Sequence, residues 1–273
     1  MAGRDISYLS FLFLLALYIW LRDFTGITSL ENTLPILLSL PLFYYLGSPW
    51  NLTVKPEPLS YGNLIIGTAG FILGMLMDVL FLLAASWTYL LWTWLSSRVY
   101  SYDLPSVRKL MVLPLFAFPW LDLEGNFIGW YFRLSGAWAT AKTFSAMGLG
   151  VIHDGTQLIV QGLPVGIGEA CSGINVLQSM LIAGSALAYL FLGRHKIFWM
   201  NLIGLVIIAW LANTLRIVIL CITALTMGPE FALGLFHTWG GWMVLFLMLC
   251  LTWAILSLQA TYIKKNTATT LCS

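Results

Sequence analysis

The sequence predicts an all-α polytopic membrane protein, with about eight transmembrane helices and a small extracytoplasmic cap containing a β-hairpin. Two observations predict it. Of the 273 residues, 60% are hydrophobic and only 9% are charged, where soluble domains run at about 45–50% apolar and about 25% charged. A soluble domain of this size could not hide that much apolar surface. Apolar stretches of span length also recur along the chain, separated by short loops that hold most of the basic residues. The net charge of +2 is too small and too scattered for a nucleic-acid binder. The four cysteines, at 171, 221, 250 and 272, make no CxxC pair and no metal spacing, and HExxH, P-loop and GxGxxG motifs are absent. No cofactor and no metal is therefore implied.

The first apolar run, Ile6 to Leu21, lies between Arg4-Asp5 and Arg22-Asp23. No small-x-small cleavage site follows it and further spans do, so a retained helix is expected rather than a signal peptide. Ile27 to Leu46 contains Pro35 and Pro41 and is expected to kink. After a polar stretch with Lys55, Pro56, Glu57 and Pro58, Asn63 to Leu95 is too long for one span of about 20 residues. It fits a helical hairpin with Asp78 near the turn. Arg98, Arg108 and Lys109 form a basic loop, and Leu110 to Leu121 is a short span with prolines in it.

From Asp122 to Glu169 the chain changes character. Asp122, Glu124, Arg133, Lys142, His153 and Asp154 bring back charge, and Trp130, Tyr131 and Phe132 form an aromatic cluster suited to the membrane interface. Ala137 to Leu149 is expected to be helical, lying on or dipping into the bilayer. Gly150 to Val165 alternates around Asp154-Gly155, a hairpin signal. Cys171 to Leu192, Ile197 to Met227 and Trp239 to Ile263 follow as three long apolar helices, and Lys264 to Ser273 is a short polar tail. The expected division is 1–121 for the N-terminal transmembrane helices, 122–170 for the cap, 171–263 for a C-terminal three-helix catalytic region and 264–273 for a cytoplasmic tail.

Charge asymmetry sets the expected topology. The basic loops at Arg98 to Lys109 and Arg194-His195-Lys196, and the pair Lys264-Lys265, belong in the cytoplasm by the positive-inside rule. Eight spans with both termini inside satisfy this, with Arg4 and Lys55 also inside and Arg22 an exception outside. Residues 122–169 and the loop Gly228 to Thr238 then fall outside.

This topology brings three reactive side chains to one depth. Cys171 starts a helix at the outer face, and His237 lies in the outer loop before the last span. Arg216 is 19 residues beyond Ile197, roughly 28 Å up its helix at 1.5 Å per residue. A thiol at a helix N-terminus feels the positive end of the dipole, and a nearby arginine favours thiolate further. With an imidazole to move protons, the three suffice for acyl transfer. Each also has a plainer reading. Cys171 is a packing residue or half of a disulfide with Cys221. Arg216 snorkels to headgroups. His237 pairs at the interface with Trp239, His153 is a turn residue, and Glu169 is a loop acid. Asp78 and Glu31 are buried polar partners or interfacial groups.

The stretch Glu169-Ala170-Cys171-Ser172-Gly173-Ile174 resembles the cysteine motif of the exosortase/archaeosortase family of membrane transpeptidases. Asn213-Thr214-Leu215-Arg216-Ile217 looks like that family's N-x-x-R element on the following helix, and His237 matches a basic residue before the last helix. Val151 to Ile167 looks like the family's hairpin. The resemblance covers roughly residues 120–260. Some members carry a basic residue right after Cys-Ser-Gly-Ile, where this chain has Asn175, which bears on substrate preference more than on chemistry.

The resemblance implies a cysteine-dependent peptidase that cleaves C-terminal sorting signals of exported surface proteins at the outer face of the plasma membrane. Such a signal has a short motif (Pro-Glu-Pro in many bacteria), a transmembrane helix and a basic end. The new C-terminus would pass to a lipid or glycan acceptor. Cys171 is then the nucleophile, Arg216 the stabiliser of thiolate or oxyanion, and His237 the general acid/base. Asn213, on the Arg216 face of its helix, would orient it, and Glu169, Ser172 and Asn175 would support the substrate. The implied partners are membrane-anchored substrate proteins and the bilayer, with no nucleic acid. The competing class is a transporter or lipid-binding scaffold in which Arg216 holds an anionic headgroup.

Overall fold

The computed structural model describes residues 2–22, 30–53 and 56–271. Asp23, Lys55 and Cys272 lie outside the described residues, as do the side chains of Arg4, Glu31 and His237. The chain is mostly helical. Four helices are long and apolar enough to cross a bilayer, at Asp5–Arg22, Ile174–Leu192, Phe198–Met227 and Trp239–Asn266, and three shorter apolar helices accompany them. The chain forms two compact units: Met1–Glu124 with Ala188–Phe198, and Gly125–Leu187 with Trp199–Ser273.

The first unit is built on α1 (Ala2–Arg22), α2 (Leu30–Gly47), α3 (Tyr61–Met77) and α4 (Leu80–Ser96). Both prolines of the second apolar run, Pro35 and Pro41, stay within the single helix α2. The hairpin between α3 and α4 turns at Asp78, whose left-handed backbone (φ 60°) lets its N–H close on the Gly74 carbonyl and end α3. Asp78 is not buried but exposed, and it pairs with Arg22 at the end of α1. Trp87 Nε1 donates to the Leu12 carbonyl (2.7 Å) and the Tyr8 hydroxyl to the Leu90 carbonyl (3.0 Å), fastening α1 to α4. Asp5 pairs with Arg98 at the other end of α1.

The expected span Leu110–Leu121 is not one helix. The chain there breaks into α5 (Leu104–Leu110), α6 (Val112–Leu115) and α7 (Trp120–Glu124). Pro114 and Pro119 lack the N–H that a continuous helix would need. The broken stretch still runs the length of α4. It begins beside the C-terminal end of α4, where the Asn51 amide donates to Asp103 (2.8 Å) and the Tyr100 N–H to the Asn51 carbonyl (3.3 Å). It finishes at the other end, where the Glu124 carboxylate accepts the N–H groups of Leu80 and Phe81 and caps α4. The 17 residues of α4 measure about 25 Å. The Lys109 ammonium donates to the carbonyls of Gly193 (2.7 Å) and His195 (2.9 Å), beyond the end of α9 (Ile174–Leu192).

The second unit opens with α8 (Asn126–Ala146), which starts well before the helix expected from Ala137. The hairpin is present as β1 (Val151–Asp154) and β2 (Gln157–Val160), with Gly155 at φ 58° in its turn. A third antiparallel strand, β3 (Leu163–Gly166), extends it. Gln161 and Gly162, both at positive φ, make that second turn, the backbone of a two-residue loop matched to strand twist. Leu158 and Val160 on one face of β2 pack with Phe144 of α8 and with Ile217 and Cys221 of α10 (Phe198–Met227). The chain ends with α11 (Pro229–Leu233) and α12 (Leu235–Leu271).

Candidate active site

The cysteine motif is a turn before it is a helix. Glu169–Cys171 form one 3-10 turn, closed by the Ser172 N–H on the Glu169 carbonyl (2.9 Å). The helix expected from Cys171 begins at Ile174 instead, so the thiol stands ahead of the dipole end rather than on it. The reason is Gly173, whose φ of +75° interrupts right-handed backbone. A Cβ at Gly173 would also lie 2.6 Å from Asn213 Cγ. Glycine is therefore required twice, once for the turn and once for the approach of α10.

That approach joins the two motifs. Asn213 is buried and its Nδ2 donates to the Cys171 carbonyl at 3.1 Å, across 42 positions of sequence. Arg216, three residues on, is close enough for its charge to act on the Cys171 thiol. Burial pushes the Cys171 thiol above the ordinary cysteine value, and the Arg216 guanidinium pulls it back down. Burial is the larger of the two causes. The guanidinium also lies against the start of α12, since a Cβ at Gly241 would sit 3.6 Å from Arg216 Cζ and Nε.

His237 falls in the first turn of α12, not in a loop. It stands four residues, about one helical turn, before Gly241. Glu169 and Asn175 are exposed and Ser172 is half-buried. Cys171, Cys221 and Cys250 are free thiols, so Cys171 and Cys221 are not joined by a disulfide.

Cys171 lines a cavity of about 150 Å³ whose wall is mostly apolar. Strand β3 forms one side, Ile217 and Cys221 of α10 another, and Pro229 and Ala232 the end. Helix α8 closes the seam behind the turn. A Cβ at Gly129 would meet Ser172 Cβ at 3.1 Å, and one at Gly136 would meet Ile217 Cδ1 at 3.1 Å. These contacts of α8 were not legible in the sequence. The only trace there is the spacing of Gly129 and Gly136, seven residues apart on one helix face.

A family model described as transmembrane exosortase matches residues 7–254, which takes in the N-terminal helices as well as both motifs. No curated protein and no solved structure matches the chain.

Proposed function

This chain belongs to the transmembrane exosortase family, and from that premise we propose that it is a membrane cysteine peptidase and transpeptidase acting on C-terminal sorting signals. The observation that carries the reading is the Asn213 to Cys171 hydrogen bond. It ties the cysteine turn to the helical turn that bears Arg216, so a nucleophile and a cation of distant sequence share one small volume.

In this reading the Cys171 thiol gives its proton to the His237 imidazole as the sulfur attacks the scissile carbonyl carbon. A base assists at that moment because burial raises the thiol and so disfavours the free thiolate. Arg216 stabilises the negative charge that develops on sulfur or oxygen. The carbon–nitrogen bond breaks, the imidazolium returns the proton to the leaving amine, and an acyl thioester remains on Cys171. An amine or hydroxyl acceptor, on a lipid or glycan, then displaces the sulfur and completes transfer; water in its place gives hydrolysis. The three-stranded sheet beside the cavity shields the thioester and favours the acceptor. Asn213 orients the turn, and Glu169, Ser172 and Asn175 flank the incoming chain.

The membrane placement follows from charge. Eight passes, the fifth being the broken stretch 104–124, keep both termini in the cytoplasm and set the cysteine turn at the outer face of the plasma membrane. A substrate helix in the same bilayer delivers its outer end at that height, confining both partners to one orientation. Cys171→Ala should abolish processing of a tagged reporter that ends in a sorting signal, with expression and insertion intact. Immunoblotting of the reporter measures this. Processing retained in that variant would return the chain to the class of anion-binding scaffolds.

A further inference from the structure

Helix α8 buries Gly129, Phe132, Gly136, Ala137, Thr140 and Phe144. At 3.6 residues per turn these form one face, and Arg133 falls in its middle. It stands one turn after Gly129, which abuts Ser172, and just under one turn before Gly136, which abuts Thr214 and Ile217. The sequence thus puts a second arginine at the seam between the cysteine turn and the Asn-x-x-Arg turn.

The surroundings of Arg133 leave one of its donors unspent. Its Nε is shielded from solvent and has no hydrogen-bond partner among the described residues. Trp130, one turn earlier, stacks under the guanidinium at 5.4 Å. The ion pairs found among the described residues, Arg22 with Asp78 and Asp5 with Arg98, do not involve it. Across the seam, Thr214 Oγ1 and Asn213 Oδ1 are also buried without partners. Thr223, Thr226, Thr252 and Thr261, which also lie within helices, return their hydroxyls to the carbonyl four residues back, whereas Thr214 leaves its hydroxyl unspent. Arg133 is half-buried, and a guanidinium whose Nε is shut from solvent without an acceptor is costly unless an anion completes it; its planar fork matches a carboxylate.

We propose that Arg133 is a substrate-binding residue that receives a carboxylate of the chain held at Cys171, with the Thr214 hydroxyl as a second donor. The carboxylate belongs to the substrate rather than to a lipid because of the face on which Arg133 stands. The exposed side of α8 carries Phe127, Tyr131 and Trp138, while Arg133 Nε lies on the packed side, in line with Gly129 and Gly136. The inference rests on the reading of Cys171 as the nucleophile.

The test uses the full-length protein in membranes and a membrane-anchored reporter. Each acidic residue next to the reporter's apolar helix is replaced in turn by its amide. The wild-type protein should process one amide reporter more slowly than its acidic parent, on the order of tenfold to a hundredfold. Arg133→Gln should process both at the slower rate, and Arg133→Lys should keep part of the preference. A wild-type preference retained by Arg133→Gln overturns the proposal, and so does its absence at every position in the wild type. An Arg133→Gln protein inert on both reporters, yet alkylated at Cys171 by iodoacetamide at the wild-type rate, overturns it as well. If Arg133→Gln fails to accumulate, Arg133→Lys and Thr214→Val decide, and an unchanged preference in both overturns it. Failure of the nucleophile reading shows separately, as processing that survives Cys171→Ala.

Discussion

The two units of this protein differ in how many buried polar groups they leave without partners. In the first, charges are spent on neighbours: Asp5 on Arg98, Arg22 on Asp78, Glu124 on the first N–H groups of α4, and Lys109 on the carbonyls of Gly193 and His195. Thr88 Oγ1 is an exception there. In the second, Arg133 Nε, Thr140 Oγ1, Gln178 Nε2, Asn213 Oδ1 and Thr214 Oγ1 are all buried without partners. A satisfied polar group in an apolar setting holds helices together. An unsatisfied one is a cost that persists where something outside the chain completes it. The comparison sets the second unit apart without reference to any motif.

The largest effect expected from breaking the contrast is at Arg216. Arg216→Gln should lower reporter processing on the order of a hundredfold to a thousandfold, the loss typical of one group that stabilises developing charge. It should also move the reactivity of Cys171. Alkylation by iodoacetamide requires thiolate, so its rate in the wild-type protein should still be climbing above the ordinary cysteine range, because burial raises the thiol. Loss of the guanidinium removes the opposing pull, so the climb in Arg216→Gln should shift to higher pH. An unshifted or downward-shifted profile would show that the charge does not act on the sulfur.

Gly173→Ala comes next. The added Cβ has neither an allowed φ nor space beside Asn213. Processing should fall at least about tenfold, and stability in detergent by about 1–3 kcal/mol. Replacing Asn213 by serine in the same chain should recover part of the loss, since it relieves the crowding but not the backbone strain. Full additivity of the two changes would argue that the contact is not what fixes the turn. The smallest effect belongs to the first unit. Asp5→Asn should lower thermal stability by about 1 kcal/mol while leaving processing within about twofold of wild type. A large loss of processing there would erase the distinction between the units.

The parts of the candidate site that are legible in the sequence share a property. Cys171, Arg216 and the Asp154-Gly155 turn each carry a local signal, a rare residue type or dipeptide at a position that apolar helices cannot ignore. The third strand was missed because Gln161-Gly162 is a weaker turn signal than Asp-Gly, although both its residues take positive φ. Arg133 was visible only as one charge among several between 122 and 169. Nothing local says which face of α8 it stands on or that no carboxylate meets it.

The sequence by itself determined that this chain lives in a membrane, where its apolar helices run, and which ends of those helices hold charge. Hydropathy adds up residue by residue along the chain, so those conclusions need no knowledge of contacts. Only the tertiary structure decided that Cys171 sits on a turn ahead of its helix, that the stretch 104–124 breaks while keeping its course along α4, and which polar groups find partners. Those outcomes depend on backbones approaching one another across tens of residues, at Gly173 and Asn213 above all, and close packing is a property of pairs that no single segment encodes.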